Sequence, residues 1–469
     1  MRSGAILACL LLLGAPATSE AQDCTTGGER GDPRPGLSGP EQLLESDDGR
    51  FLLHWTEEGV DAPTNQEDAD DNGIPDFADL ALLGLQAGDV AFPAAGYREV
   101  PPDDGQGGSD AIDVYFVDIE ANGYAFSVPP MAGTDAQASC TVLLDGGLGN
   151  SLPGVFESVA AHEFHHCTQY AYTIQAASWL LESTATFEQY RLFDDPTLQS
   201  AVGVLWSIRL TRPDRALAST GSRYEYAGFV FELFWESFGG VDPARVPALW
   251  EALREAGGDQ QTALDAESNR LWDQPFSRTF LDYVTWNAFA CDRDDAMHYD
   301  YAEFPCDLDA SVPIAQATDV VQLELSEIPY TAAYAYIPAA GSEDPVELRC
   351  DGPGEAGARA RVRLLALDRF GREMEEQNST GRDAEEFGLG LVGPQDPDGG
   401  TLVVLASTGN APVSLRCDVQ RQEVVLPPVD DDDDDDGGGC ACTTAGPAPA
   451  GIGALLLLGL VPKRRRRRA

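Results

Sequence analysis

Basic residues are scarce in this chain of 469 residues. Thirty lysines and arginines stand against 78 aspartates and glutamates, which gives a formal net charge of −48. A surface this acidic repels nucleic acid and anionic lipid, so the sequence predicts neither as a partner. The acidic residues are spread along the chain and are also concentrated at 430–436. We expect most of this charge to serve solubility in a salty exterior.

The spacing C-x-x-C does not occur, which argues against a structural zinc cluster. In the body of the chain the cysteines are Cys24, Cys140, Cys167, Cys291, Cys306, Cys350 and Cys417. The matching strand patterns "VELRC" and "VSLRC" predict a Cys350–Cys417 disulfide. Cys291 and Cys306 flank an acidic loop, which a second disulfide would close. The remaining three leave one cysteine unpaired, and the pattern does not choose among them.

The two ends of the chain have the composition of targeting segments. Arg2, the apolar run "AILACLLLLGA" and the small residues before Gln22 predict a secretory signal peptide over 1–21. The last segment, 440–469, joins a cysteine pair, a short apolar stretch interrupted by proline and a basic cluster. That stretch is marginal for a spanning helix, and its basic end would stay on the cytoplasmic side.

These last residues resemble a known sorting signal. Cys440 and Cys442, the apolar segment and the cluster from Lys463 to Arg468 are similar, in this order, to the tripartite tail called MYXO-CTERM of myxobacterial surface proteins. The resemblance covers only 440–469. It implies transient membrane contact through the tail, removal near Cys440 by a sorting protease, and a protein that is secreted or kept at the cell surface.

The body divides by composition into four stretches. Residues 22–49 are rich in Gly, Pro and charge and predict a flexible leader, whereas 50–310 mixes strand and helix patterns. Residues 312–426 are strand-like throughout and predict an all-β, sandwich-like accessory domain without a catalytic constellation. The stretch 427–439 is an acidic and glycine-rich linker.

Histidine is scarce, with five in the whole chain. Three of them fall in "AAHEFHHCTQY", residues 160–170, within a stretch that has apolar residues at helical spacing. His162, Glu163 and His166 form the pattern H-E-x-x-H. Residues i and i+4 share one helix face, so the two imidazoles can bind one Zn²⁺ while Glu163 is placed to take a proton from the attacking water.

The other histidines have weaker claims to a ligand role. His165 could share a face with His162, but no glutamate is placed to serve that pair, so we interpret it as a packing or outer-sphere residue. His54 and His298 have no partner motif and are predicted to be structural.

A catalytic zinc needs a third protein ligand and an open position. The metzincin continuation with its third histidine is absent after His166. Glu182, in the helical pattern "SWLLESTATFEQY", follows His166 by sixteen positions, a separation at which a second helix can fold back on the first. We predict Glu182 as the third ligand and keep Glu188 as its rival.

"HEFHH" followed by "WLLESTATF" resembles the H-E-F-x-H and W-x-x-E-G-x-A motifs of gluzincin-type zinc metallopeptidases, particularly a family of myxobacterial secreted metalloproteases. The likeness runs over about residues 50–300, although Ser183 stands where the family usually has glycine. It implies an α+β zincin-like catalytic domain that acts on protein or peptide substrates. Tyr226 resembles the tyrosine that precedes a helix after the zinc motifs in similar enzymes, which makes it the candidate donor to the oxyanion. The alternatives are that Tyr226 is a core residue, or that Tyr224 is the donor.

A second metal motif precedes the histidines. "DADDNGIPDFAD", residues 68–79, has the offsets of an EF-type calcium loop, although Asp79 replaces the usual glutamate, as in the dockerin-like and thrombospondin-type loops that it resembles. The predicted Ca²⁺ ligands are Asp68, Asp70, Asn72, Ile74, Asp76 and Asp79, with Gly73 at the sharp turn. The alternative is an acidic loop that is merely solvated.

The sequence thus predicts an exported zinc metalloendopeptidase that Ca²⁺ stabilises. Two other classes stay open: a non-catalytic surface adhesion or binding protein with a structural metal site, and an H-E-x-x-H hydrolase of non-protein amide bonds. Glu163 argues against the first, because a purely structural site needs no base.

Overall fold

The computed structural model describes residues 34–103, 105, 108–119, 121–127, 137–193, 195–299, 304, 306, 310–351, 358–378, 386–390 and 396–421. The predicted signal peptide, Cys24, the acidic linker and the sorting tail lie outside the described residues. Within these ranges, none of the helices combines the length and the apolar content that a membrane crossing requires.

Helices dominate the middle of the chain and strands its two flanks. The helices are α1 (Asp76–Ala95), α2 (Pro153–Tyr170), α3 (Ser178–Leu192), α4 (Pro196–Leu210), α5 (Phe229–Ser237), α6 (Arg245–Glu255), α7 (Gln260–Trp272) and α8 (Phe276–Ala288). The early strands are β1 (Glu41–Glu45), β2 (Phe51–Thr56), β3 (Ile112–Val117), β4 (Gly123–Ser127) and β5 (Cys140–Asp145). The later strands are β6 (Ile314–Gln316), β7 (Val320–Leu325), β8 (Thr331–Pro338), β9 (Val346–Asp351), β10 (Ala360–Leu367), β11 (Glu373–Asn378), β12 (Glu386–Gly390), β13 (Gly400–Ser407) and β14 (Val413–Arg421).

The early strands form one mixed sheet in the order β1-β2-β3-β5-β4. β2, β3 and β5 run parallel, whereas the two outer strands are antiparallel to their neighbours. β3 is buried along its whole length, because alternate residues such as Val114 face the helices and Tyr115 faces the opposite side. β1 lies inside the stretch predicted as a flexible leader. That prediction is therefore wrong for Glu41–Glu45, whose half-exposed pattern hides the strand signal.

Helix α2 packs between the sheet and the other helices. Pro153 begins it at a position where the missing N–H costs nothing, and no proline or glycine follows Gly154 before its end. Val155 to Gln169 are almost entirely buried, so this helix is a core element and not a surface amphipathic helix. α1 approaches α2 closely at Gly84, where a Cβ would collide with the backbone of Glu157.

The later strands form two sheets in the orders β11-β10-β13-β8-β6 and β12-β9-β14-β7. Apolar residues of both sheets, among them Ile337, Leu348, Val362 and Leu415, form one common core. The predicted alternation is clear in β14, where buried and exposed residues follow each other. The chain is thus a mixed α+β protein with a sheet-rich C-terminal region.

The sheet-rich region shares its other face with the helices. Tyr334 in β8 donates to the carbonyl oxygen of Val284 in α8 at 2.8 Å. Arg363 in β10 pairs with Asp282 and donates to Thr285 at 2.9 Å, and all these side chains are buried. All the described residues belong to one compact unit. The apolar surface that covers α8 therefore belongs to the C-terminal strands.

Three disulfides cross-link the described residues. Cys350–Cys417 joins directly paired residues of β9 and β14, and Cys291–Cys306 closes the acidic loop, so both predicted pairs are confirmed. The third, Cys140–Cys167, joins the start of β5 to α2, where the sequence left the choice open. Three disulfides fit an exported protein.

Candidate metal centre

Helices α2 and α3 bring two histidines and one glutamate together. His162 Nε2 lies 3.3 Å from Glu182 Oε2, and His166 Nε2 lies 3.7 Å from the same oxygen. The two imidazole rings are 5.0 Å apart and nearly perpendicular. One ligand atom of each of the three side chains lies within 4.8 Å of those of the others. This donor set, two imidazole nitrogens and a carboxylate oxygen, fits the three protein ligands of a catalytic zinc.

The outer ring nitrogens of both histidines have their own partners. His162 Nδ1 donates to Gln189 Oε1 at 3.1 Å, and His166 Nδ1 donates to Gln169 Oε1 at 2.8 Å. Each inner nitrogen, Nε2, therefore faces the space beside Glu182. The sequence predicted neither glutamine, because only the packing of α2 on α3 makes them neighbours of the histidines.

The three side chains also control each other's protonation. Burial alone would raise the pKa of Glu182, but the neighbouring His166 and the hydrogen bond from His162 outweigh burial and lower it. Burial would lower the pKa of His162, yet the hydrogen bond to Glu182 and the charge of Glu163 raise it. A cation that binds between these groups would replace the proton of His162, so we expect its affinity to fall at acidic pH.

Glu163 lies next to this cluster and is 6% exposed. Burial raises its pKa to about 8, while the charge of His162 opposes the shift and that of Glu182 adds to it. A carboxylate with a pKa near neutrality suits a group that must accept and return a proton. Its side chain rests against Gly123, the first residue of β4.

Gly123→Ala tests whether this contact holds Glu163 in place. A Cβ at Gly123 would lie 2.6 Å from Cγ of Glu163, closer than real contacts allow. If Glu163 acts as a base, we expect a loss of activity of about a hundredfold, because a displacement of about 1 Å in such a group has this effect. Two quantities are measured: kcat, which should fall, and zinc content, which should not change. Gly36→Ala is the control, since nothing lies within 4 Å of its Cβ position; full activity of Gly123→Ala would contradict the prediction.

Tyr226 lies at the same site. Its ring stacks on that of His162 at 6.0 Å, and its hydroxyl lies close enough to Glu182 to feel the charge of that carboxylate. The charge of Glu182, followed by burial, raises the pKa of Tyr226 well above its usual value, so the hydroxyl stays a donor. Tyr224 instead donates to the carbonyl oxygens of Arg212 and Arg215 at 3.1 and 3.3 Å, which commits it to the fold.

Glu188, the rival third ligand, has other partners. It accepts a hydrogen bond from Tyr97 at 2.8 Å and forms an ion pair with Arg191 at 2.7 Å. It does not belong to the cluster of the two histidines.

Ser183, which departs from the family pattern, has a definite place in the packing. Its hydroxyl donates to the buried Glu232 at 2.6 Å, and its Cβ fills the space beside Gly228. This contact connects α3 to α5, so the serine is accommodated by the neighbouring helix.

The remaining histidines lie away from the cluster. His165 is fully buried, edge-on to the rings of Phe92 and Tyr97. His54 bridges Glu41 at 2.8 Å and Asp113 at 3.0 Å on the other face of the sheet. His298 contacts Asp295 at 2.9 Å. All three occupy packing or ion-pair positions, as the sequence led us to expect.

The acidic loop before α1 brings three of its predicted ligands together around a glycine turn. Oxygen atoms of Asp68, Asp70 and Asp76 lie within 4.8 Å of one another. Gly73 has φ +88°, a conformation that glycine adopts without strain, and its N–H donates to Asp68 at 2.9 Å.

Asn72 and Asp79, the predicted side-chain ligands outside that group of three, contact each other, since the Asn72 amide donates to Asp79 at 2.9 Å. Ile74, predicted to contribute its carbonyl oxygen, donates its N–H to Asn72 Oδ1 at 2.6 Å. The side chains of the loop thus contact one another around the glycine turn.

Comparisons with known proteins give no family. No family model and no curated protein matches the sequence. The pre-peptidase C-terminal domain of a collagenase from Bacillus anthracis is 8% identical and covers 23% of this chain and 95% of its own, with a TM-score of 0.17. PliG, a periplasmic inhibitor of g-type lysozyme from Aeromonas hydrophila, is 14% identical and covers 23% of this chain and 97% of its own, with a TM-score of 0.15. A family GH115 4-O-methyl-α-glucuronidase is 10% identical and covers 60% of this chain and 46% of its own, with a TM-score of 0.15. These TM-scores are too low for any of the three likenesses to inform the fold or the function.

Proposed function

We propose that this protein is a secreted zinc-dependent metallopeptidase of the gluzincin type, with a zincin-like catalytic region and a sandwich-like accessory region. The observation that carries the proposal is the convergence of His162, His166 and Glu182 beside Glu163. Bound Zn²⁺ supplies a Lewis acid that polarises a carbonyl group and makes water more acidic. A binding protein would need the three ligands alone, whereas a buried carboxylate next to them is the group that hydrolysis needs.

The residues of the chain divide the work of hydrolysis. Glu163 accepts a proton from the attacking water and returns it to the leaving amine. Tyr226, whose hydroxyl is protonated and already at the site, donates a hydrogen bond to the oxygen that gains charge. The buried setting excludes bulk water and strengthens both interactions.

The neighbouring sheet supports a peptide as the substrate. β4 is the last strand in the order of the described sheet, and its first residue contacts Glu163. An extended peptide that adds to such an edge by main-chain hydrogen bonds would run beside the base. This arrangement favours a peptide over other amide substrates.

The test combines metal analysis with digestion. Protein from an oxidising compartment should contain about one zinc per chain, should cleave casein or a peptide library, and should lose this activity with a chelator and recover it with Zn²⁺. Zinc without cleavage of any peptide would point to a binding protein or to another amide substrate. A chain that takes up no zinc would refute the proposal.

We propose further that the loop at 68–79 binds Ca²⁺ and stabilises the start of α1. At a Ca²⁺ concentration about a hundredfold above Kd, binding adds about 2.7 kcal/mol to the free energy of unfolding, so the melting temperature should rise by several degrees. Asp68→Ala should abolish this rise while zinc stays bound. Asp47→Ala, an exposed aspartate outside the loop, is the control. A melting curve of the wild type that Ca²⁺ does not shift would disprove the calcium site.

The proposed location of the protein rests on the composition of its two terminal segments. We propose that the signal peptide exports the chain and that a sorting protease removes the tail near Cys440, which leaves the protein secreted or at the cell surface. The three disulfides support the export step, because such bonds persist in oxidising compartments.

A further inference from the structure

We propose that Gln169 and Gln189 are positioning residues that fix both metal-binding histidines in the form with hydrogen on Nδ1. This inference rests on the proposed function, since it concerns the ligands of the same zinc site. It adds two neutral amides, one from each helix, that prepare the imidazoles for the metal.

The direction of the first hydrogen-bond chain is fixed by a carbonyl group at its end. Gln169 Nε2 donates to the carbonyl oxygen of Leu181 at 2.8 Å. A carbonyl oxygen only accepts, so the amide cannot be turned around without losing this bond. Gln169 Oε1 must therefore face His166 Nδ1, at 2.8 Å, and that nitrogen must carry the hydrogen.

The second hydrogen-bond chain also ends at a backbone carbonyl oxygen. Ser158 donates its hydroxyl hydrogen to the carbonyl oxygen of Val155 at 2.8 Å, which leaves its oxygen to accept from Gln189 Nε2 at 3.0 Å. Gln189 Oε1 then faces His162 Nδ1 at 3.1 Å. His162 is thereby held as the same tautomer as His166, and both Nε2 atoms face Glu182.

The two amides also cross between the helices in opposite directions. Gln169 belongs to α2 and binds the backbone of α3 at the residue before Glu182, whereas Gln189 belongs to α3 and binds two side chains of α2. The side chains of Ser158, His162, His166, Gln169 and Gln189 are all buried. The bonds that orient the histidines therefore also set the position of Glu182 relative to them.

Zinc affinity of paired variants tests this role. Methionine has nearly the shape of glutamine but does not replace its hydrogen bonds, so Gln169→Met and Gln189→Met should each weaken zinc binding by about 10- to 100-fold, the usual effect of losing an outer partner of a ligand. The dissociation constant is measured by competition with a chelating dye. Gln322→Met, at an exposed glutamine of β7, is the control.

The glutamate variants separate orientation from packing. Ser158 can rotate its hydroxyl toward a carboxylate, so Gln189→Glu should keep zinc affinity close to that of the wild type. Gln169→Glu should not, because its carboxylate would face the carbonyl oxygen of Leu181. Affinities of both methionine variants within twofold of the wild type would overturn the proposal, as would full affinity of Gln169→Glu. A wild-type chain that binds no zinc would instead refute the metal centre itself.

Discussion

Glu163→Gln should lower peptide hydrolysis by about two to four orders of magnitude while the zinc content stays near one per chain. Glutamine keeps the shape of the side chain but cannot accept the proton of water, and general-base assistance contributes a factor of this size. The metal ligands are not touched, because Glu163 does not belong to the cluster of His162, His166 and Glu182. Both quantities, kcat and bound zinc, are measured on the same preparation.

The matched control for this variant is Glu157→Gln. It lies on the same helix and makes the same chemical change outside the metal cluster. We expect it to retain wild-type kcat and zinc. Full activity of Glu163→Gln would refute the mechanism, even if zinc were bound as proposed.

Glu182→Gln should act on the metal itself. A neutral amide is a poor replacement for a carboxylate ligand, and the variant also loses the negative charge that lies 3.3 Å from His162 Nε2. Zinc affinity should therefore fall by more than the roughly 10- to 100-fold typical of an outer partner. Dialysis against a weak chelator, followed by metal analysis, measures the loss, and activity should fall with it.

Glu188→Gln provides the comparison on the same helix. Glu188 contacts Tyr97 and Arg191, so its replacement should lower the melting temperature and leave zinc in place. The opposite pattern, in which Glu188→Gln removes zinc and Glu182→Gln keeps both metal and activity, would show that the third ligand is wrong.

The sequence was most informative where one helix carries the whole pattern. His162, Glu163 and His166 lie within five residues of each other, so helical spacing alone predicts that the two imidazoles share a face. The prediction of Glu182 needed one more assumption, that the next helix folds back on the first. The structure places Glu182 beside both histidines.

The partners that come from other elements were not predictable in this way. Gly123 reaches Glu163 from a strand 40 positions earlier in the chain, and a glycine in a strand has many possible reasons. Gln189 follows His162 by 27 positions and has no residue pattern that marks it. Such contacts depend on how elements pack, which periodicity does not report.

The same limit appears in the sheet-rich region. Alternation along its strands correctly predicts which residues point into the core between the two sheets. It does not show that the other face of one sheet covers α8, because an apolar residue such as Val404 has the same pattern whether its neighbour is a strand or a helix. Because this face packs against α8, the region predicted as an accessory domain is part of the same compact unit as the helices.

The Cys140–Cys167 bond has a consequence for how the site assembles. The covalent ring that it closes contains β5 and most of α2, so His162, Glu163 and His166 all lie inside a loop with a sequence separation of 27. Closing a loop of this length removes about 3 to 4 kcal/mol of conformational entropy from the unfolded chain in the simplest model. Once the bond exists, the part of α2 that carries His162, Glu163 and His166 stays near β5 even in a partly unfolded molecule. To bring Glu182 beside His162 and His166, α3 must then fold back on α2.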